Sequence, residues 1–112
     1  MLDLTWKEFE RVDLRVGTVT SAESFPEART PAIILTIDFG EEIGSRKSSA
    51  QITDHYTPDE LIGKQVAAVV NFQRKQIGPM MSECLVTGFV QEDGGVILAV
   101  PDKAAKNGTR LA

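Results

Sequence analysis

Short segments in which apolar and polar residues alternate recur along most of this chain, and they limit the folds that it can adopt. A period of two places successive side chains on opposite faces, as in a half-buried β-strand. Residues typical of turns, mainly Gly, Pro, Asp and Ser, separate these segments. The pattern predicts strands at 12–19, 33–39, 48–52, 64–72, 84–90 and 96–100.

Two glycines interrupt the pattern. Gly17 breaks the phase of the first segment and Val19 resumes it on the other face, which predicts a β-bulge or a barrel corner. The segment 73–79 contains Gly78 and shows no alternation, so it is predicted to be a loop.

Two short helices are predicted from N-capping signals. Thr5 and Glu8 have the spacing of a capping box, in which each side chain bonds the backbone N–H of the other residue. We therefore assign residues 1–11 to an N-terminal helix. The run 57–60 repeats this spacing with a proline at the first helical position, and Gly63 follows as a stop signal.

The prediction is thus five or six short strands, with one short helix between the third and the fourth. The length of 112 residues suits one domain. This order predicts an all-β OB-fold, a five-stranded β-barrel with a short helix between strands 3 and 4. Another small barrel or sandwich is the alternative. Within the single domain 1–112, the barrel spans 12–100 and a short C-terminal extension spans 101–112.

Charge is unevenly distributed in this acidic chain, whose net charge is −4. Residues 1–42 carry nine acids against four bases, whereas residues 43–53 and 61–82 carry bases and no acid. If these two basic stretches meet in space, they form a local site for anions in spite of the negative total.

The segment 71–82 combines adjacent cations, amide side chains, an aromatic ring and two methionines. Arg74 can pair with phosphate or stack on bases, Phe72 can offer a stacking face, and Met81 suits varied apolar partners. Each residue also has a structural interpretation. Phe72 continues the apolar face of the preceding strand, Arg74 and Lys75 fit an ordinary solvated turn, and the methionines can close the barrel end.

The sequence offers little for catalysis or metal binding. Cys84 and His55 are the only residues of their types, which excludes an internal disulfide and nearly excludes a Cys/His zinc site. Cys84 lies among apolar residues and is interpreted as a small buried hydrophobe rather than a nucleophile. We expect no enzymatic activity, no catalytic residues, no metal and no cofactor.

The N-terminal segment MLDLTWKEFERVDLR lacks the basic tip and apolar core of a signal peptide, and the longest apolar run, 66–70, is too short to cross a membrane. A single cysteine suits a reducing compartment. We therefore expect a cytoplasmic protein without membrane insertion.

Five motifs in a fixed order carry a family resemblance: VDLRVG at 12–17, IDFG at 37–40, KSSAQIT at 47–53, VVNF at 69–72 and SECLV at 82–86. They resemble the tRNA-binding-domain family and, within it, the CsaA proteins, which are export-related chaperones. The resemblance implies an OB-fold barrel whose terminal extensions build a homodimer. It also implies tRNA binding in the wider family, binding of unfolded or export-destined polypeptides in the CsaA branch, and no cofactor.

The resemblance also identifies candidate contact residues, to which the chemistry of segment 71–82 adds Phe72. The candidate site for polypeptide or tRNA comprises Arg46, Lys47, Asn71, Phe72, Arg74, Lys75, Met81 and Ser82. Three functions are compatible with it: a dimeric chaperone that holds polypeptide near Phe72 and Met81, a structure-specific tRNA-binding protein, and a dimeric scaffold with one dedicated protein partner. Many relatives carry prolines where this chain has Gln73-Arg74-Lys75. The loop of this chain is therefore more basic than theirs.

Overall fold

The computed structural model describes all 112 residues, and strands dominate its regular structure. The elements follow the chain as α1 Trp6–Glu10, β1 Leu14–Ser24, β2 Ile33–Asp38, β3 Ser45–Ala50, α2 Pro58–Leu61, β4 Gln65–Val69, β5 Lys75–Ile77, β6 Met80–Ser82, β7 Leu85–Val86, β8 Gly88–Val90 and β9 Val96–Leu98. Neither helix has the length and apolar character needed to reach across a membrane.

Five strands form one antiparallel sheet in the order β3-β2-β1-β4-β7. The sheet curls until its two ends approach each other. Immediately before β7, the backbone N–H of Glu83 donates to the carbonyl oxygen of Lys47 in β3 at 2.7 Å. The result is a nearly closed five-stranded barrel with α2 between β3 and β4, which confirms the predicted OB-fold.

The long strand β1 pairs with β4 through its first half and with β2 through its second half. The strand is irregular as predicted, but the register shift with β2 lies between Val19 and Ser21, whereas the pairing of Gly17 with Val66 of β4 is regular. Gly17 has a separate packing role. A Cβ atom at this position would lie 2.6 Å from Cγ2 of Ile37 and 2.7 Å from Cδ1 of Phe39, which is too close for unshifted packing.

The alternation of the sequence places the apolar side chains inside the barrel. In β2, Ile33, Leu35 and Ile37 are fully buried, whereas the residues between them are partly exposed. Strand β4, which lies between β1 and β7, buries residues on both faces, as its apolar sequence predicts. The main core contains Val19, Ile33, Leu35, Ile37, Phe39, Ala50, Ile52, Leu61, Val66, Ala68, Val70, Cys84 and Leu98.

Both capping signals are found at the starts of the helices. The Thr5 hydroxyl accepts a hydrogen bond from the Glu8 backbone N–H, and the Glu8 carboxylate accepts one from the Thr5 N–H. At α2, the Glu60 carboxylate accepts from the N–H of Thr57 at 2.9 Å. Leu61, the last residue of α2, is fully buried and adds to the barrel core.

The prediction of a loop over 73–79 is wrong in part. Residues 75–77 form β5, which pairs with β6 across the turn at Gly78. This hairpin is anchored by Met80, which packs with Phe25 and Ala32 in a small second core. The hairpin was missed because its buried contacts come from a distant segment, and residues 75–77 themselves are mostly polar. The predicted strand 84–90 is also divided into β7 and β8.

The C-terminal extension returns to the barrel and pairs with the first half of β1. The Val16 N–H donates to the carbonyl oxygen of Thr109 at 3.0 Å, and the Leu111 N–H donates to that of Leu14 at 2.8 Å. The two ends of the chain are thereby brought to one side of the barrel, where the Arg110 guanidinium also donates to the carbonyl oxygen of Glu10.

Candidate binding surface

The two acid-free stretches of the sequence meet at one end of the barrel. From β3, the guanidinium Nη1 of Arg46 donates a 2.7 Å hydrogen bond to the carbonyl oxygen of Val70, where β4 leads into the following loop. The neighbouring residue, Lys47, contacts Glu83 through its backbone. Arg74 lies 3.4 Å from the same glutamate. Segments 43–53 and 61–82 are thus neighbours in space, although Lys47 makes these contacts through its backbone and not through its ammonium group.

An open hollow of about 250 Å³ lies at this place and is lined by Phe72, Gln73, Lys75, Ser82, Cys84 and Leu85. The Phe72 side chain is 60% exposed, so its interpretation as a core residue is wrong. Met81 and Leu85 are also exposed. Lys75 is the cation that lines this hollow. We call the hollow, together with Met81 and the nearby residues Arg46, Lys47 and Arg74, the candidate surface.

The two methionines of the segment have different environments. Met80 is buried in the second core, whereas Met81 faces out from the hairpin opposite Gln76. Adjacent residues of a strand point to opposite faces, which accounts for this division. Only Met81 is available for an apolar ligand, and Met80 holds the hairpin on the barrel.

Two of the candidate contacts also have structural roles. The Asn71 side chain accepts a hydrogen bond from the Asp13 N–H at 3.1 Å and donates one to the Arg11 carbonyl oxygen at 2.7 Å. Arg46 is partly buried and holds the Val70 carbonyl. By contrast, Lys47, Arg74 and Lys75 are exposed. They supply the cationic groups that are accessible to a ligand.

The candidate site predicted from the sequence omits Gln73, Cys84 and Leu85, which line the hollow, and it omits Glu83 beside them. The Glu83 carboxylate accepts a hydrogen bond from the backbone N–H of Lys47 at 3.2 Å through Oε1, and Oε2 lies 3.4 Å from Nη2 of Arg74. Glu83 is the first acid after the acid-free stretch 61–82. Counting charges along the sequence left Glu83 outside the acid-free stretch, although closure of the barrel brings its carboxylate next to Lys47 and Arg74.

Cys84 lies beneath the hollow and is 6% exposed, which confirms its interpretation as a buried small hydrophobe. Burial raises the pKa of its thiol to about 12, which keeps the sulfur protonated. The Ser82 hydroxyl donates to the Cys84 carbonyl oxygen at 3.4 Å. These groups therefore contribute to the shape of the hollow.

A second apolar area lies where the two chain ends meet. A hollow of about 310 Å³ has mainly apolar walls that include Leu14, Val16, Val100 and Leu111. Beside it, α1 buries none of its residues, and Trp6 is 81% exposed. We call this area the terminal face.

Comparison with known proteins identifies the family of this chain. The model of the tRNA binding domain family matches residues 14–110. Methionine–tRNA ligase of Chlorobium chlorochromatii is 33% identical over 107 residues, which cover 94% of this chain and 14% of that protein. The same enzyme of Methanocaldococcus jannaschii is 31% identical over 102 residues, 91% of this chain and 15% of that protein. The chain therefore spans only about a seventh of the length of these ligases.

Two solved structures match along nearly the full length of both chains. The crystal structure of chaperone CsaA from Bacillus anthracis has a TM-score of 0.92 and 50% identity, and covers 99% of this chain and 100% of its own. CsaA from Picrophilus torridus has a TM-score of 0.91 and 45% identity, with coverage of 98% and 100%. This chain therefore belongs to the tRNA binding domain family and, within it, to the CsaA group.

Proposed function

We propose that this protein is a CsaA-like homodimer that holds unfolded or export-destined polypeptides and carries a tRNA-binding-type surface. The observation that carries the proposal is the 60% exposure of Phe72 at a hollow that Lys75 also lines. In this proposal the protein acts in the cytoplasm by binding alone, without a catalytic step.

The candidate surface suits an extended polypeptide with apolar side chains. Phe72, Met81 and Leu85 offer exposed apolar area, and methionine adapts to side chains of different shapes. Gln73, Lys75 and Ser82 at the hollow supply polar groups for peptide carbonyls. An apolar patch with a polar rim is typical of a protein-binding site.

A homodimer would explain the terminal face. An isolated helix of five residues is not stable in water, and α1 has no buried residue in one protomer. Trp6, Leu111 and the apolar hollow of about 310 Å³ offer an area that a second copy can cover. Two candidate surfaces in one dimer would add avidity to individually weak contacts.

The alternative function is structure-specific tRNA binding as the main role. It is favoured by the family match over residues 14–110 and by the exposed cations Lys47, Arg74 and Lys75. Lysine and arginine side chains that neutralise phosphates release counterions, so tRNA affinity would fall steeply with salt. Capture of an uncharged peptide would depend little on salt.

A titration of the purified protein with bulk tRNA and with an unfolded polypeptide, each at two salt concentrations, tests the proposal. The Arg74→Glu variant should abolish tRNA binding and leave capture of a neutral apolar peptide nearly intact. Lys103→Glu is the matched control, because it makes the same change of charge at an exposed residue far from the candidate surface. The segment around Lys103 lies at the other end of β4, where the Ala105 carbonyl oxygen accepts a hydrogen bond from the Gln65 side chain. Failure of the wild type to bind or protect any unfolded polypeptide would reject the chaperone role.

A further inference from the structure

One carboxylate lies inside the cationic part of the candidate surface. Glu83 is partly buried, its Oε1 accepts from the Lys47 backbone N–H at 3.2 Å, and its Oε2 lies 3.4 Å from the Arg74 guanidinium. The Glu83 backbone N–H also bonds the Lys47 carbonyl oxygen at 2.7 Å, so the barrel closure holds this residue in place. Arg74, in contrast, is largely exposed and reaches the carboxylate from the hairpin side.

The contacts of this carboxylate are those that a phosphate would make. A phosphate oxygen binds an arginine guanidinium and backbone N–H donors in the same way as a carboxylate oxygen does. A phosphate that approaches Arg74 must therefore displace Glu83 or bind beside its negative charge. We infer that Glu83 is a specificity-determining residue, an internal anion that weakens polyanion binding and leaves the surface open to uncharged extended polypeptide.

The negative charge of Glu83 opposes the binding of tRNA more than the binding of polypeptide. An extended peptide with apolar side chains can occupy the hollow beside Phe72 and Leu85 without displacing the ion pair. Its carbonyl groups carry no net charge and are not repelled by Glu83 as phosphates are. The inference rests on the proposed function, since it explains how one surface of the tRNA-binding type can prefer polypeptide.

The Glu83→Gln variant tests this inference, because glutamine keeps the shape and the acceptor for the Lys47 N–H but removes the charge. We expect it to bind bulk tRNA about threefold to tenfold more tightly at low salt, with a salt dependence steeper by about one counterion per site. Affinity for a neutral apolar peptide should stay within about twofold. The control is Glu92→Gln, which makes the same charge change in the exposed turn between β8 and β9.

The outcomes separate this inference from the proposed function. If Glu83→Gln and Glu92→Gln gain tRNA affinity equally, the effect is one of net charge alone and the inference is overturned. An unchanged tRNA affinity in Glu83→Gln would also overturn it. If the wild type binds polypeptide but no tRNA, a gain of tRNA binding in Glu83→Gln supports the inference. If neither protein binds either ligand, the proposed function and this inference fall together.

A double-mutant cycle tests the mechanism. In an Arg74→Gln background, the Glu83→Gln change should raise tRNA affinity less than it does beside Arg74, because no guanidinium is released. Equal gains in the two backgrounds would overturn the assignment. If Glu83→Gln does not fold, Glu83→Ser replaces it, since serine removes the carboxylate and keeps a polar side chain. Its tRNA affinity should exceed that of Glu92→Ser, and equality would overturn the inference.

Discussion

The side-chain oxygen of Asn71 accepts a hydrogen bond from the backbone N–H of Asp13 at 3.1 Å, across 58 positions of the sequence. Next to it, the Val70 N–H donates to the Asp13 carbonyl oxygen at 2.8 Å. The loop that begins the candidate surface is therefore tied to the segment that follows α1. These hydrogen bonds must break if either segment moves away from the other.

Asn71→Ala should lower the free energy of unfolding by about 1–3 kcal/mol, because it removes two hydrogen bonds that hold the backbone of residues 11 and 13. Urea unfolding followed by circular dichroism measures this change. The control, Gln73→Ala, removes an exposed amide two residues away and should change stability by less than about 0.5 kcal/mol. If the Asn71→Ala protein is as stable as this control, the hydrogen bonds of the Asn71 side chain do not stabilise the fold.

Phe72 and Phe39 allow a comparison of the same truncation at two levels of burial. Phe39→Ala should cost about 3–5 kcal/mol, since this ring is 0% exposed in the barrel core. Phe72→Ala should cost less than about 1 kcal/mol, because its ring is largely in water. Thermal unfolding measures the difference. The Phe72→Ala protein should nevertheless capture apolar peptide more weakly, and an unchanged affinity would remove Phe72 from the candidate surface.

Acid stability should depend on Asp13. The hydrogen bond from Arg15 lowers the pKa of the Asp13 carboxyl, and the positive charges of Arg15 and Arg110 act in the same direction. A carboxyl whose pKa is lower in the folded state stabilises the protein above its unfolded pKa, and this contribution is lost as the pH falls through the folded value.

We therefore expect Asp13→Asn to be less stable than the wild type at neutral pH, with a gap that closes as the pH falls from the unfolded-state pKa of aspartate, about 4, through the lower folded-state pKa. Denaturant midpoints measured across this range check the expectation. Asp3→Asn, which removes an exposed carboxylate near the N-terminus, should follow the wild-type curve at every pH. A constant gap between Asp13→Asn and the wild type would show that the charge of Asp13 does not stabilise the fold.

The Cys84 thiol should be protected in the native protein. Its pKa of about 12 and its 6% exposure leave little thiolate and little access near neutral pH. Alkylation by iodoacetamide should be at least about 100-fold slower in buffer than in concentrated urea, as mass spectrometry can measure. Rapid modification in buffer would indicate that the segment around β7 opens readily.

Local sequence signals predicted much of the barrel correctly. The alternation at Ile33, Leu35 and Ile37 identified the buried face of β2, and the capping box at Thr5 and Glu8 identified α1. These features depend on interactions within a few residues, so the sequence pattern is sufficient to predict them. The motif VVNF at 69–72 and the two acid-free stretches also directed attention to the segments that form the candidate surface.

The same signals could not predict features that depend on distant contacts. The hairpin β5–β6 is held by packing of Met80 on Phe25, and exposure of Phe72 depends on how the chain leaves β4. Whether an apolar residue at the end of a strand is buried is decided by what covers it, which strand periodicity does not specify.

The positions of most barrel strands along the chain, the helix caps, the alternation of apolar residues and the two basic segments can be read from the sequence, because each follows from neighbouring residues. Only the tertiary structure decided that Arg46 would hold Val70, that Asn71 would brace Asp13, and that Glu83 would lie between Lys47 and Arg74. The physical reason is barrel closure. It brings groups from separate strands within hydrogen-bonding distance, and charge counted along the chain does not reveal which of them become neighbours.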